Sequence, residues 1–106
     1  MLLMKKQFFE AIRTGRKTTT LRYWRRAIVA AGSVHNIRGL GRIRIDRVRA
    51  VRLRDLTAAD ARADGFETLA ALKRALREMY PGGGPSSPRR LYHIHFTFLP
   101  EPGRKP

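Results

Sequence analysis

The stretch GRKTTTLR, residues 15–22, packs one lysine, three threonines and two arginines into a window that opens on a glycine. A lysine and a hydroxyl can form a base–nucleophile pair if the chain brings them together. Side chains alternate along a strand, so Lys17 and Thr20 diverge if both lie in regular strand. They converge only if Lys17 sits in the turn before the strand, which Gly15 permits. A desolvated lysine among arginines then loses its preference for the ammonium form and can act as a base on the Thr20 hydroxyl. The plainer account is a solvated turn lysine followed by threonines placed for their strand propensity. Spacing alone favours that account.

The residues that follow interleave cations and aromatics: Arg22, Tyr23, Trp24, Arg25 and Arg26. Such a composition suits phosphate contacts with base stacking. Arg22 shares a strand face with Thr18 and Thr20 and is the strongest ligand contact of the set, with Arg16 and Lys17 in the turn beside it. Trp24, the single tryptophan, reads first as a core or rim residue. His93 and His95 share a face of a later strand, but no third ligand can be assigned, so no metal site is expected. No cofactor is called for.

Charge gives these cations a setting. The 106-residue chain has 23 Lys and Arg against 8 Asp and Glu, a net of +15. Residues 1–54 carry fifteen basic and two acidic side chains, whereas 55–80 carry four and five. Eighteen of the cations are arginine, which can grip phosphate with two parallel hydrogen bonds and stack on bases. A one-sided basic field of this kind points to a polyanion. The absence of cysteine excludes disulfides and thiolate chemistry. Neither a signal sequence nor a membrane span is legible, so a cytoplasmic protein acting as a monomer is expected.

The elements that must position these groups follow from periodicity. Phe8, Phe9 and Ile12 share a helical face, and Gly15 marks the end of that helix near Thr14. Thr18 to Tyr23 reads as a strand, Val34 to Ile37 as a short one, and RGLGR as a hairpin turn. In RIRIDRVRAVRL, 42–53, the apolar parity set by Ile43 and Ile45 switches at Val48, which predicts a bulge. Arg42 and Arg44, like the arginines after them, then point to solvent or to a ligand. Thr57 and Asp60 have capping-box spacing, and Gly65 ends that helix. Thr68 caps a second helix with Leu69, Leu72, Leu76 and Met79 in a stripe. A flexible loop is expected at 81–88 and a strand at 91–99, with Tyr92, Ile94, Phe96 and Phe98 on one face. Residues 100–106 read as a disordered tail. The whole is α+β, a single domain over 1–99 built on a small, bent, mostly antiparallel sheet or barrel with short helices on one side.

The pattern FxxIxxGxKTTTxR, the segment DLTAADARADGF, a helix ending in Tyr-Pro and a closing HIHF strand resemble the ASCH domain. The resemblance spans roughly residues 5–98, and GRKTTTLR is its most specific part. It implies a PUA-like β-barrel and RNA binding in a cleft beside that segment. One branch, the bacterial acetylcytidine amidohydrolases, uses a Lys, a Thr three residues later and a Glu on the helix before Tyr-Pro. Lys17 and Thr20 match the first two. The place of the Glu falls at Ala71, with Glu67 one helical turn earlier as the available substitute. The expected function is therefore an RNA- or nucleotide-binding module. The alternatives are a small amidohydrolase or nuclease working through Lys17 and Thr20, and a basic interaction domain among RNA-rich partners.

Overall fold

The computed structural model describes residue 2, residues 4–82 and residues 88–100. Most of the expected loop at 81–88 and the tail from 101 onward lie outside the described residues. A 3-10 turn at Lys6–Phe8 leads into α1 (Phe9–Arg13), which Gly15 ends with φ +80°. The strands β1 (Thr19–Trp24), β2 (Val34–Ile37) and β3 (Gly41–Val51) follow. A 3-10 turn at Leu53–Asp55, then α2 (Ala58–Ala63) and α3 (Leu69–Met79), separate them from β4 (Arg90–Leu99). The sheet is antiparallel in the order β1-β4-β3-β2, a curled half-barrel with β1 and β2 at its edges.

The parity switch in β3 is a bulge. Ile45 pairs with Phe96 and Arg47 with His95, so Asp46 is left over. Ile43, Ile45 and Val48 therefore pack toward one cluster although their numbers differ in parity. The same extra residue keeps Arg42, Arg44, Arg47 and Arg49 all exposed. Were Asp46 paired in a regular strand instead of bulged, Arg47 and Arg49 would take the positions that face the core.

Each sheet face has its own core. On one, Ile43, Ile45, Ile94 and Phe96 pack with Phe9 and Ile12 of α1 and with Val29, Ile37 and Leu40. On the other, Leu21 and Leu91 meet Leu56, Ala61, Leu72 and Leu76, so α2 and α3 cover that face. The caps read from sequence are formed: Thr57 and Asp60 make a reciprocal capping box, and the Thr68 hydroxyl accepts from the Ala71 backbone N–H. Met79 departs from the expected stripe. It falls in the last turn of α3 and is 40% exposed. No helix among the described residues is long and apolar enough to cross a membrane.

Candidate functional site

Lys17 lies in the turn between α1 and β1, as convergence with Thr20 requires. Its backbone N–H donates to Ala11 at 2.9 Å, and the Thr18 N–H donates to Ala63 at 2.8 Å, which ties the turn to the end of α2. That helix closes with a left-handed glycine. Gly65 has φ +93°, and the Phe66 N–H returns to the Ala61 carbonyl at 2.9 Å. Such an ending leaves the Asp64 carbonyl without a helical donor. Lys17 fills that need, its Nζ donating to the Asp64 backbone oxygen at 2.6 Å. An ammonium is also the charge that the C-terminal end of a helix favours.

The Asp64 side chain turns into the same space. Its Oδ1 lies 3.5 Å from Lys17 Nζ and accepts from the Thr19 hydroxyl at 3.1 Å. Both ionisable residues are buried, Lys17 at 3% and Asp64 at 4% exposure. Burial pushes each toward its neutral form. It raises the Asp64 carboxyl to about 6, against the pull of Lys17, Thr19 and Arg22. It lowers Lys17 against the opposing pull of Asp64. The Lys17 ammonium also stands 4.7 Å from the Phe8 ring centroid. Gly65 packs against the Lys17 stem, but it is the positive φ that calls for glycine here.

Thr20 and Arg22 join Lys17 and Asp64 around a cavity of about 40 Å³, walled by Phe8, Phe66 and Leu72. This volume holds a few waters and no base. Arg22 Nε donates to the Thr20 hydroxyl at 3.1 Å, and burial lowers the Arg22 pKa. Lys17 is thus engaged with Asp64, and Thr20 with Arg22.

The other predicted residues are dispersed. Glu67 is exposed and does not line this cavity, and Ala71 does not line it either. The carboxyl expected from one of those positions is instead Asp64. Arg16, Thr18, Arg25 and Arg26 are exposed around the turn and beyond the end of β1. Trp24 packs on Tyr92, ring centroids 6.0 Å apart, against the core that contains Ile94. Arg42 and Arg44 lie at the far end of β3, where Arg44 Nε donates to Asp46 at 2.8 Å.

Tyr23 faces the other side of the sheet. It lines a groove of about 1150 Å³ that sequence reasoning did not single out. The groove runs over Arg47, Arg49, His93 and His95, with Asp60 of α2 and Lys73 of α3 on its helical wall. Arg47 is registered opposite His95 and Arg49 opposite His93, so the four side chains form one block. The signal in sequence was the alternation of arginines after the bulge, together with HIH.

No protein-family model and no curated protein matches the sequence. Solved structures do match. An ASCH domain from Lactobacillus crispatus superposes with a TM-score of 0.70 at 17% identity, over 84% of this chain and 68% of that one. A DUF984 protein from Enterococcus faecalis gives 0.62 at 19% identity, over 86% and 69%. The hypothetical protein PH0355 gives 0.72 at 13% identity, over 92% and 95%. The chain shares the fold of the ASCH domain structure, a small α+β arrangement with a curled antiparallel sheet. At these identities the likeness is one of fold.

Proposed function

We propose that the protein is an RNA-binding module whose affinity comes mainly from phosphate contacts. The observation that carries this reading is the one-sided placement of arginine. Arg42, Arg44, Arg47 and Arg49 are all exposed, on the side of β3 away from Ile43 and Ile45. A bulge maintains that placement across a change of parity. Four guanidinium groups along one strand repel one another, and a polyanion offsets that repulsion. The test is the salt dependence of binding to a short single-stranded RNA. With about six phosphates contacted, affinity should fall by roughly three orders of magnitude between 50 and 200 mM salt. Affinity flat over that range would exclude phosphate-driven binding.

The second reading is a small amidohydrolase or nuclease acting through Lys17 and Thr20. Asp64 is the observation in its favour, a carboxyl beside Lys17 that keeps its proton up to about pH 6. The geometry opposes it at two points. The Lys17 ammonium is used by Asp64, and the cavity does not accommodate a nucleobase.

A further inference from the structure

The 1150 Å³ groove lies on the opposite face of the sheet from Thr20, Arg22 and Trp24. Its floor is the block of Arg47, Arg49, His93 and His95. Two observations at this block point to a bound anion. Arg47 and Arg49 are exposed, and the ion pairs among the described residues are Lys17–Asp64 and Arg44–Asp46, so neither takes part in one. His93 is 4% exposed, and its Nε2 has no hydrogen-bond partner among the described residues. A buried ring nitrogen without a partner is uncommon and costs stability until a ligand or water meets it. Both imidazoles are also held below their ordinary pKa. Burial is the first cause, His95 and the two arginines add to it for His93, and Arg47 and Arg49 add to it for His95.

Resting on the RNA-binding reading above, we propose that this groove seats a single-stranded RNA backbone along Arg47 and Arg49, with Tyr23 as a stacking surface for one base. Arg47 and Arg49 are two residues apart on a strand, hence about 7 Å along its axis. That repeat is close to the phosphate spacing of an extended single strand, so successive arginines can meet successive phosphates. His93 and His95 stand beside them as further donors. Tyr23 lines the same groove, its ring edge-on to Tyr80 at 5.4 Å. Base stacking on an aromatic side chain tolerates any sequence, so the groove reads backbone and length more than base identity.

The probe is fluorescein-labelled octauridylate, read by anisotropy against the full chain. The double variant Arg47→Gln with Arg49→Gln is compared with Arg74→Gln with Arg77→Gln, which removes the same charge from exposed positions of α3 outside the groove. The first pair should weaken binding by about tenfold or more per arginine and lower the salt slope by about 1.4. The second pair should change affinity by less than about threefold, as an exposed charge away from the site does. Equal losses, or a larger loss for Arg74 and Arg77, would overturn the assignment of the groove.

A second readout is the titration of the histidine rings by NMR. His93 faces His95, Arg47, Arg49 and Asp60 of α2, and His95 faces Arg47, Arg49, Asp60 and Asp46 at the bulge. A phosphate held by Arg47 and Arg49 adds negative charge and should raise the pKa of both rings. Unmoved titration at saturating RNA would also overturn the proposal. Linear polyphosphate is the control for the occupant: binding of polyphosphate without binding of RNA would overturn the RNA assignment. Failure of the unsubstituted protein to bind either probe would sink the RNA-binding reading itself, a result distinct from a misplaced groove.

Discussion

Lys17 reaches 47 positions along the sequence to donate from Nζ to the Asp64 backbone oxygen at 2.6 Å, with the carboxylate of the same residue 3.5 Å away. One residue thus supplies both an orphan helix carbonyl and a titratable group to a buried ammonium. The contact fastens the turn before β1 to the end of α2. Breaking it by removing one partner leaves the other as an unpaired buried charge, which is costly.

The first prediction concerns pH. The folded-state pKa of Asp64 is raised from 3.8 to about 6. Between those values the folded chain holds a proton that the unfolded chain has released, so stability falls as pH rises through this window. Asp64→Asn removes that dependence. The unfolding free energy of the native chain minus that of the variant should drop by about 2 kcal/mol between pH 4 and pH 7. Urea titrations at four pH values would measure it. Asp46, whose pKa is lowered by its bond from Thr97, is common to both proteins and cancels. A difference that does not vary with pH would show that Asp64 is not buried as described.

The second prediction compares two glycines. Gly15 and Gly65 both have positive φ; a Cβ at Gly15 meets open space, and one at Gly65 meets Lys17 Cδ at the ordinary contact distance of 3.4 Å. Gly15→Ala should cost about 1 kcal/mol from backbone conformation alone. Gly65→Ala should cost about as much, because its Cβ would make only van der Waals contact with the Lys17 stem and the cost is again that of positive φ. Chemical denaturation of the two variants checks the comparison. A clearly larger loss at Gly65 would mean that the buried Lys17 stem cannot accept even a methyl group beside it.

Much of this fold was legible in the sequence because its signals are local. The Val34–Ile37 strand, the capping box at Thr57, the helix end at Gly65 and the switch of parity after Ile45 all depend on neighbours a few residues apart. Asp64 was not legible as a site residue. An aspartate just before a glycine reads as an ordinary helix end, and only the crossing of the turn at Lys17 buries it. Counting back from Tyr80-Pro81 put the missing carboxyl at Ala71, yet α3 turns that residue away from Lys17. The groove was hidden for a related reason. Its arginines and histidines sit on separate strands, and only the register of β3 against β4 sets Arg47 beside His95.

The third prediction tests the bulge. Asp46 holds it from the side, accepting from Thr97 at 2.6 Å and from Arg44 at 2.8 Å. Asp46→Ala should cost about 1 kcal/mol, the size of exposed hydrogen bonds, and leave the register intact. Deleting Asp46 is a different change. It joins Ile45 directly to Arg47, so regular alternation keeps Arg47 and Arg49 on the exposed face and Val48 on the core face, and the chain should fold with the same pairing and a less bent β3. Circular dichroism and proteolysis check both variants. A deletion variant that fails to fold would show that the bend made by the bulge is needed for the sheet to close over its core.

The fourth prediction concerns chemistry at Lys17 and Thr20. Amide cleavage needs a base within reach of the nucleophile and an acid for the leaving nitrogen. Asp64 could act as such an acid. However, Lys17 Nζ is bonded to the Asp64 carbonyl, and the Thr20 hydroxyl accepts from Arg22 Nε at 3.1 Å. The cavity between them, about 40 Å³, would have to open by several-fold to admit acetylcytidine. Turnover of acetylcytidine is therefore expected at background. Enzymatic rates abolished by Thr20→Ala would reverse that expectation, and two further variants would then identify the acid. Asp64→Asn should remove general acid help, a loss of roughly a hundred to ten thousand fold, while Glu67→Gln should leave the rate unchanged. Loss at Glu67 with retention at Asp64 would mean that the segment before α3 moves to bring Glu67 over Lys17 when substrate binds.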